Sequence, residues 1–118
     1  MQNYKITIEY DGSNFVGWQR QDNGISIQQL VEEAIQKLSK QKIILFGAGR
    51  TDAGVHAKGQ VANFELEQNF DCDTIRDGIN HYLRPQPISI LQAEKVDKLF
   101  SVIILISILI LVSVVTLC

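Results

Sequence analysis

The stretch YKITIEY (residues 4–10) alternates apolar and polar side chains along its whole length. Successive side chains of an extended chain point to opposite faces, so a period of two predicts a strand with one buried face. The apolar face would consist of Tyr4, Ile6, Ile8 and Tyr10. The stretch therefore predicts a sheet that is covered on one side, and the segments after it indicate what covers it.

A helix is predicted from Ser26 onward, because apolar residues recur there every three or four positions as far as Leu38. Ser26 and Gln29 have the spacing of a capping box, and Ile25 is placed to form a hydrophobic staple with Leu30. The start signal and the apolar period therefore agree on one amphipathic helix.

A second helix is predicted with Asp73 as its N-cap. The segment RPQP (84–87) is expected to end it, because a residue before proline disfavours the helical conformation. The apolar stripe between these two signals consists of Ile75, Ile79 and Leu83.

Three further stretches are predicted as strands: KIILFGAG (42–49), QVANFEL (60–66) and ISILQAEKV (88–96). Together with the first strand and the two helices they give the order β-α-β-β-α-β, the split βαβ pattern of ferredoxin-like folds. The expected fold class is therefore α+β, with an antiparallel sheet that carries both helices on one face.

The chain has 118 residues, with 11 Lys and Arg against 13 Asp and Glu, which fits one domain with a modest core. This slightly acidic balance argues weakly against a nucleic-acid partner and does not exclude one, because net charge does not say where the basic groups lie. Cys72 and Cys118 match no metal or redox spacing, and no secretion signal is recognised, so a cytoplasmic location is expected.

The predicted domain comprises residues 1–98, and residues 99–118 form an uncharged apolar tail. At a rise of about 1.5 Å per residue, a helical tail of this length would cross a hydrocarbon core of about 30 Å, so it could be a membrane anchor. The alternative is a frameshifted translation, because an ordered domain runs without a linker into a featureless Ile, Leu and Val run. A membrane partner is expected only if the tail is genuine.

The stretch GAGRTDAGVHA (47–57) joins two predicted strands and matches no common cofactor motif. Asp52 stands where a dinucleotide-binding loop has its third glycine, and a Walker loop would need Gly-Lys-Ser or Gly-Lys-Thr. Asp52 and His56 alone are too few ligands for a metal site. A catalytic triad is also not predicted, because the motif offers no candidate serine or cysteine nucleophile. A plain glycine-rich turn between two strands remains the structural alternative.

Arg50 favours a chemical role for this motif. A guanidinium two positions from a carboxylate can pair with it, and the pairing would keep Asp52 ionised with a lowered pKa. An ionised carboxylate on a glycine-hinged loop suits nucleophilic or base catalysis on a large substrate.

Four segments, in this order and at these intervals, resemble the N-terminal half of the tRNA pseudouridine synthase A family. They are EYDGSNFVGWQRQ (9–21), SIQQLVEEAI (26–35), GAGRTDAGVHAKGQVANFE (47–65) and GIN..L.P (78–85). The resemblance covers residues 1 to about 98 and implies the ferredoxin-like half of the pseudouridine synthase fold.

The resemblance implies an isomerase that converts uridine to pseudouridine in the anticodon stem-loop of tRNA, without metal or organic cofactor. The aspartate of the motif is the family's nucleophile, which places that role on Asp52. Arg50 resembles the arginine that helps to flip the base and to steady it. Full-length family members form a homodimer, so a homodimer is expected for the complete protein.

Further RNA contacts are implied for the loop after the first strand, at Trp18, Gln19 and Arg20, with local packing of an aromatic loop as the alternative. His56 is grouped with the RNA-binding residues and is expected to stabilise the motif by hydrogen bonding, with a role as general base as the alternative. Lys58 is expected to contact phosphate, and a solvated loop lysine is the alternative.

The sequence departs from the family after residue 98. Family members continue into a second domain that closes the cleft and supplies a stacking tyrosine and a basic partner for the nucleophile, and residues 99–118 do not match it. The chain is therefore expected to be inactive by itself. The alternatives are a non-catalytic RNA-binding remnant and a membrane-tethered RNA-binding domain.

Overall fold

The computed structural model describes residues 1–12, 15, 24–47 and 57–97. They form one four-stranded sheet with the order β2-β3-β1-β4, in which each neighbouring pair is antiparallel, and two helices. The predicted α+β class and the predicted order of elements are confirmed. The elements are β1 (Gln2–Tyr10), α1 (Ile27–Ser39), β2 (Phe46–Gly47), β3 (Ala57–Leu66), α2 (Cys72–Leu83) and β4 (Ile88–Val96).

The hydrophobic core lies between the sheet and the two helices. The four apolar residues of the YKITIEY stretch are buried, and the ring of Tyr4 stacks on that of Phe64 in β3 with the centroids 5.6 Å apart. On the opposite face of β1, Lys5 forms an ion pair with Glu94 of β4 (Nζ–Oε2 3.4 Å). The predicted one-sided sheet is therefore confirmed. The helices contribute Ile27, Val31, Ala34, Ile35, Ile75, Ile79 and Leu83 to the core.

α1 begins where the sequence predicts. Ser26 is the N-cap, and its Oγ accepts a hydrogen bond from the N–H of Gln29 (3.1 Å). Ile25 remains 53% exposed, so the predicted staple with Leu30 does not bury it. The helix start therefore depends on the cap and on the buried stripe that follows it.

α2 begins two residues earlier than predicted, with Asp71 and not Asp73 as its N-cap. The first helical hydrogen bond runs from the N–H of Ile75 to the carbonyl oxygen of Asp71 (3.0 Å), which places Asp73 inside the first turn. There its carboxylate lies 3.6 Å from the guanidinium of Arg76. The helix ends at Leu83, before the RPQP segment, as predicted.

The predicted strand over residues 42–49 is wrong in its first four positions. Among the described residues, only Phe46–Gly47 form a strand there, and it pairs with β3. At Leu45, the last of these four positions, the backbone is bonded to α1 instead: its N–H donates to Glu32 and its carbonyl oxygen accepts from Gln28. Side chains of α1 therefore occupy the backbone groups of the residue that precedes β2.

The two remaining strands lie at or near their predicted bounds. β3 begins at Ala57, three residues before its predicted start, and its alternate residues Ala62, Phe64 and Leu66 are buried on the helix side. β4 has the predicted bounds, Ile88–Val96. The chain therefore leads into β3 directly from the GAGRTDAGVHA motif.

Candidate functional site

The connection between β2 and β3, which carries this motif, is attached to the sheet at Gly47 and Ala57. Gly47 pairs with Ala62, and Ala57 pairs with Tyr10, the last residue of β1. Because β2 and β3 are antiparallel, the chain leaves β2 in the direction of the sheet end at which β3 begins. The motif therefore rejoins the sheet beside the end of β1.

Two other segments meet at the same end of the sheet. Tyr10 pairs on its other side with Ile88, the first residue of β4. The N–H of Asp11 donates to the carbonyl oxygen of Pro87 (3.1 Å), so the segment after β1 is tied to the turn before β4. The loop after β1 contains Phe15 and Trp18 and is called the aromatic loop. The sheet topology thus attaches this loop and the motif at one end of the sheet, although they are far apart in the sequence.

The pairing of β1 with β3 contains a bulge just before this sheet end. Ile8 pairs with Gln60 and Glu9 pairs with Lys58, so Gly59 is the extra residue between them. Its φ is +106°, a conformation that glycine adopts without a steric penalty. Since a bulge bends its strand and increases the local twist, Gly59 sets the direction in which β3 receives the motif.

Buried side chains and backbone ties hold the strands at this sheet end. Tyr10 is 3% exposed and Ile88 is 4% exposed, and both belong to the hydrophobic core. Asn80 of α2 holds β4, because its Nδ2 donates to the carbonyl oxygen of Ile90 (3.0 Å) and its Oδ1 accepts from the N–H of the same residue (2.6 Å). These contacts provide a fixed base for the loops that leave the sheet here.

The predicted site residues fall into two groups. Lys58 has its backbone in β3, opposite Glu9. The others lie outside the described residues: Trp18, Gln19, Arg20, Arg50, Asp52 and His56. The described structure therefore brings together the points at which their segments attach to the sheet, and the roles of the side chains stay predictions.

The pKa shifts resolved among the described residues belong to Arg76 and Asp77, on the surface of α2. The hydrogen bond from Arg76 Nε to Asp77 Oδ1 (2.9 Å) lowers the pKa of the Asp77 carboxyl and raises the pKa of the guanidinium. This pair belongs to the first half of α2, whereas the hydrogen bonds of α2 to β4 near this sheet end come from Asn80 in its second half. It is therefore a feature of the helix surface.

The described ranges contain neither a metal-binding cluster nor a helix that could cross a membrane. Within them, no group of three or more His, Cys, Asp or Glu side chains could hold a metal ion. The helices in the same ranges are not long and apolar enough to span a membrane. The predicted tail, residues 99–118, lies outside these ranges.

Two polar residues of α1 next to the motif were not predicted from the sequence. Gln28 and Glu32 lie one turn apart, and both bind the backbone of Leu45, two residues before Gly47. In the sequence they look like ordinary polar residues of an amphipathic helix. Their i, i+4 spacing beside the apolar stripe is the only sequence signal that could have indicated a shared role.

The fold is an α+β half-domain whose motif-bearing loop and aromatic loop leave one end of an antiparallel sheet. A family model described as tRNA pseudouridine synthase matches residues 6–103. The chain therefore belongs to the tRNA pseudouridine synthase family.

Among its relatives are proteins named tRNA pseudouridine synthase A. The one from Parvibaculum lavamentivorans is 55% identical over 100 residues, or 85% of this chain. Those from Methylocella silvestris and Ehrlichia canis are 52% and 56% identical over 86% and 82% of this chain. The matched regions are 41%, 41% and 40% of the three proteins, so the chain spans about two-fifths of their length.

Proposed function

We propose that this chain is the nucleophile-bearing part of an enzyme that isomerises uridine to pseudouridine in the anticodon stem-loop of tRNA. The observation that carries the proposal is the family match, because residues 6–103 include the whole GAGRTDAGVHA motif. The described sheet supports it, since the motif and the aromatic loop attach at the same sheet end through the pairs of Tyr10 with Ala57 and Ile88.

The proposed reaction replaces one bond of the nucleoside with another. The C–N glycosidic bond breaks, the uracil turns while it is still bound, and a C–C bond joins it to the ribose again. The carbon that forms the new bond loses a proton, and the nitrogen that leaves the ribose gains one, so substrate and product contain the same atoms. Asp52 is the proposed nucleophile, and no metal or organic cofactor is proposed.

Arg50 is the proposed partner of Asp52 and the group that helps to flip the base. A base in a stem must leave the stack before its glycosidic bond can be reached, at a cost on the order of a few kcal/mol. tRNA is therefore the proposed partner. The residues proposed to contact it or to support the motif are Trp18, Gln19, Arg20, His56 and Lys58.

The proposed activity needs more chain than these 118 residues. The relatives are more than twice as long as the matched region. A site closed on both sides excludes water and strengthens the electrostatic interactions inside it, which one half cannot do alone. We therefore expect no turnover from this chain by itself. For the complete protein we propose a cytoplasmic homodimer.

The test joins residues 1–98 to the part of the Parvibaculum lavamentivorans protein that follows the position aligned with Lys98, and this fused protein is assayed on unmodified tRNA transcripts. Pseudouridine is expected, measured by mass spectrometry of nuclease digests. Asp52→Ala is expected to abolish its formation, because the nucleophile is removed. The matched control is Asp71→Ala, since the Asp71 side chain makes no cap hydrogen bond and should be dispensable.

Each outcome is informative. Turnover by the Asp52→Ala protein would exclude Asp52 as the nucleophile. A fused protein that is folded, binds tRNA and forms no pseudouridine would contradict the proposed function and favour an RNA-binding remnant. Turnover by the unfused 118-residue chain would show that the expectation of inactivity is wrong.

Residues 99–118 are proposed to come from a shifted reading frame and not from a membrane anchor. The support is the uncharged Ile, Leu and Val run that follows the domain without a linker. Resequencing the DNA across codons 97–105 tests this, because a restored frame should continue into a second domain. An unchanged frame, with the product in the membrane fraction, would instead support the anchor.

A further inference from the structure

Two side chains of α1 hold the chain shortly before the motif. The Nε2 of Gln28 donates to the carbonyl oxygen of Leu45 (2.9 Å), and the Oε2 of Glu32 accepts from the N–H of Leu45 (2.9 Å). Both side chains are half-buried, and Leu45 itself is 1% exposed. Leu45 is thus held at its N–H, at its carbonyl oxygen and by the burial of its side chain. We call this pair the Gln28–Glu32 clamp.

The clamp supplies what a neighbouring strand would otherwise supply. In an antiparallel sheet, one residue exchanges an N–H and a C=O hydrogen bond with the residue opposite it. Here a donor and an acceptor on one helix face, one turn apart, make the two bonds. The arrangement depends on the chemical groups, since the carbonyl oxygen of Leu45 requires a donor, here the amide N–H of Gln28, and its N–H requires an acceptor oxygen, here that of Glu32.

Leu45 precedes the motif by two residues. Phe46 and Gly47 follow it as β2, and Asp52 lies five residues beyond Gly47. Within the described residues β2 comprises two residues and has few ladder hydrogen bonds, so its pairing with β3 there determines its position only weakly. The clamp therefore makes a large contribution to the position and the direction of the chain as it enters the motif.

We propose that Gln28 and Glu32 are positioning residues for Asp52, acting through the backbone of Leu45. The proposal rests on the proposed function, since it takes Asp52 as the nucleophile. A displacement of about 1 Å away from the reacting atoms can lower a rate on the order of 100-fold. Loss of the clamp is expected to lower kcat and to leave KM nearly unchanged, because Gln28 and Glu32 are not among the residues proposed to contact tRNA.

Two isosteric substitutions separate positioning from packing. Glu32→Gln keeps a carbonyl oxygen that can accept from the N–H of Leu45, whereas Gln28→Glu removes the donor and sets a carboxylate against a carbonyl oxygen. Both preserve side-chain size, so a packing role predicts similar effects for the two. The matched controls are Glu33→Gln and Gln36→Glu, the same exchanges at exposed positions of α1.

In the fused protein, Gln28→Glu is expected to lower kcat at least about tenfold with KM changed by less than about twofold. Glu32→Gln and both controls are expected to stay within about twofold of the parent in kcat. Equal rates for Gln28→Glu and Gln36→Glu, or a change confined to KM, would overturn the proposal.

The 118-residue chain provides a second readout that needs no activity. Glu32→Ala is expected to speed amide exchange at Leu45 about tenfold and to shift the amide resonances of residues 46–57, while Ile6 in β1 exchanges at the parent rate. Equal acceleration at Ile6 would mean global destabilisation, and unchanged resonances over 46–57 would mean that the clamp does not act on the motif. Either result would overturn the proposal.

The two readouts also distinguish the two proposals. A fused parent without turnover contradicts the proposed function alone. The exchange rates and resonance shifts of the 118-residue chain then decide whether the clamp orients the motif.

Discussion

The two edge strands of the sheet are secured in different ways. β4 pairs with β1 through eight of its nine residues, with Leu91 as the extra residue of a bulge, whereas the two described residues of β2 pair with β3. Helix side chains also form hydrogen bonds at each edge. Asn80 binds the N–H and the carbonyl oxygen of Ile90. Gln28 and Glu32 together bind those of Leu45, next to β2. Pairing within the sheet thus determines the position of β4, whereas hydrogen bonds from α1 contribute more to the position of β2, which leads into the motif.

The largest effect on stability is expected at the β4 edge. Asn80→Ala is expected to lower the free energy of unfolding by about 2–4 kcal/mol, because the N–H and the carbonyl oxygen of Ile90 both lose their partner. Asn80→Asp keeps the acceptor and loses the donor, so a smaller loss is expected. Urea denaturation measures both. A loss below about 1 kcal/mol in Asn80→Ala would show that pairing with β1 alone secures β4.

A smaller effect is expected at the bulge beside the motif. A Cβ at Gly59 would lie 3.9 Å from Thr7 Cγ2, which is ordinary contact, so strain at a φ of +106° is the expected cause of any loss. Gly59→Ala should lower the free energy of unfolding by about 1–2 kcal/mol. The control is Leu91→Ala at the extra residue of the β4 bulge, which already has a side chain and is 48% exposed. Equal losses in the two proteins would contradict a special backbone requirement at Gly59.

The smallest effect is expected on the surface of α2, away from both edges. The hydrogen bond from Arg76 lowers the pKa of Asp77 in the folded protein, so its stabilisation is present above the unfolded pKa of about 3.9 and disappears as the pH falls through the folded pKa. Asp77→Asn should therefore shift the urea midpoint slightly at pH 6 and not at pH 2. A shift that persists at pH 2 would assign the effect to the helix and not to the charge.

The periodic patterns predicted those elements whose position depends on the core. The apolar stripe of α1 and the alternation in β1 and β3 each specify a buried face directly, and the structure buries those faces. The start of α2 was predicted two residues too late, because Asp71 and Asp73 are both suitable N-caps. Asp71 caps the helix through its backbone without a side-chain hydrogen bond, which composition does not indicate.

The start of β2 could not be predicted from its own residues. The hydrogen-bond partners of Leu45 lie 13 and 17 residues earlier in the chain, beyond any local pattern. The candidate site shows the same limit. Its motifs were recognised by residue order, but only the sheet order shows that Ala57 and Ile88 flank the end of β1 at Tyr10.

The helix side chains that bind the sheet edges also bear on solubility. An edge strand with open N–H and carbonyl groups is a template for a strand of another molecule, and natural proteins block such edges to avoid aggregation. At Ile90 and beside β2 at Leu45, the chain's own helices occupy these backbone groups. Replacement of Asn80 or Glu32 by alanine would therefore remove contacts within the fold. It would also expose backbone groups that can pair with a strand of another molecule.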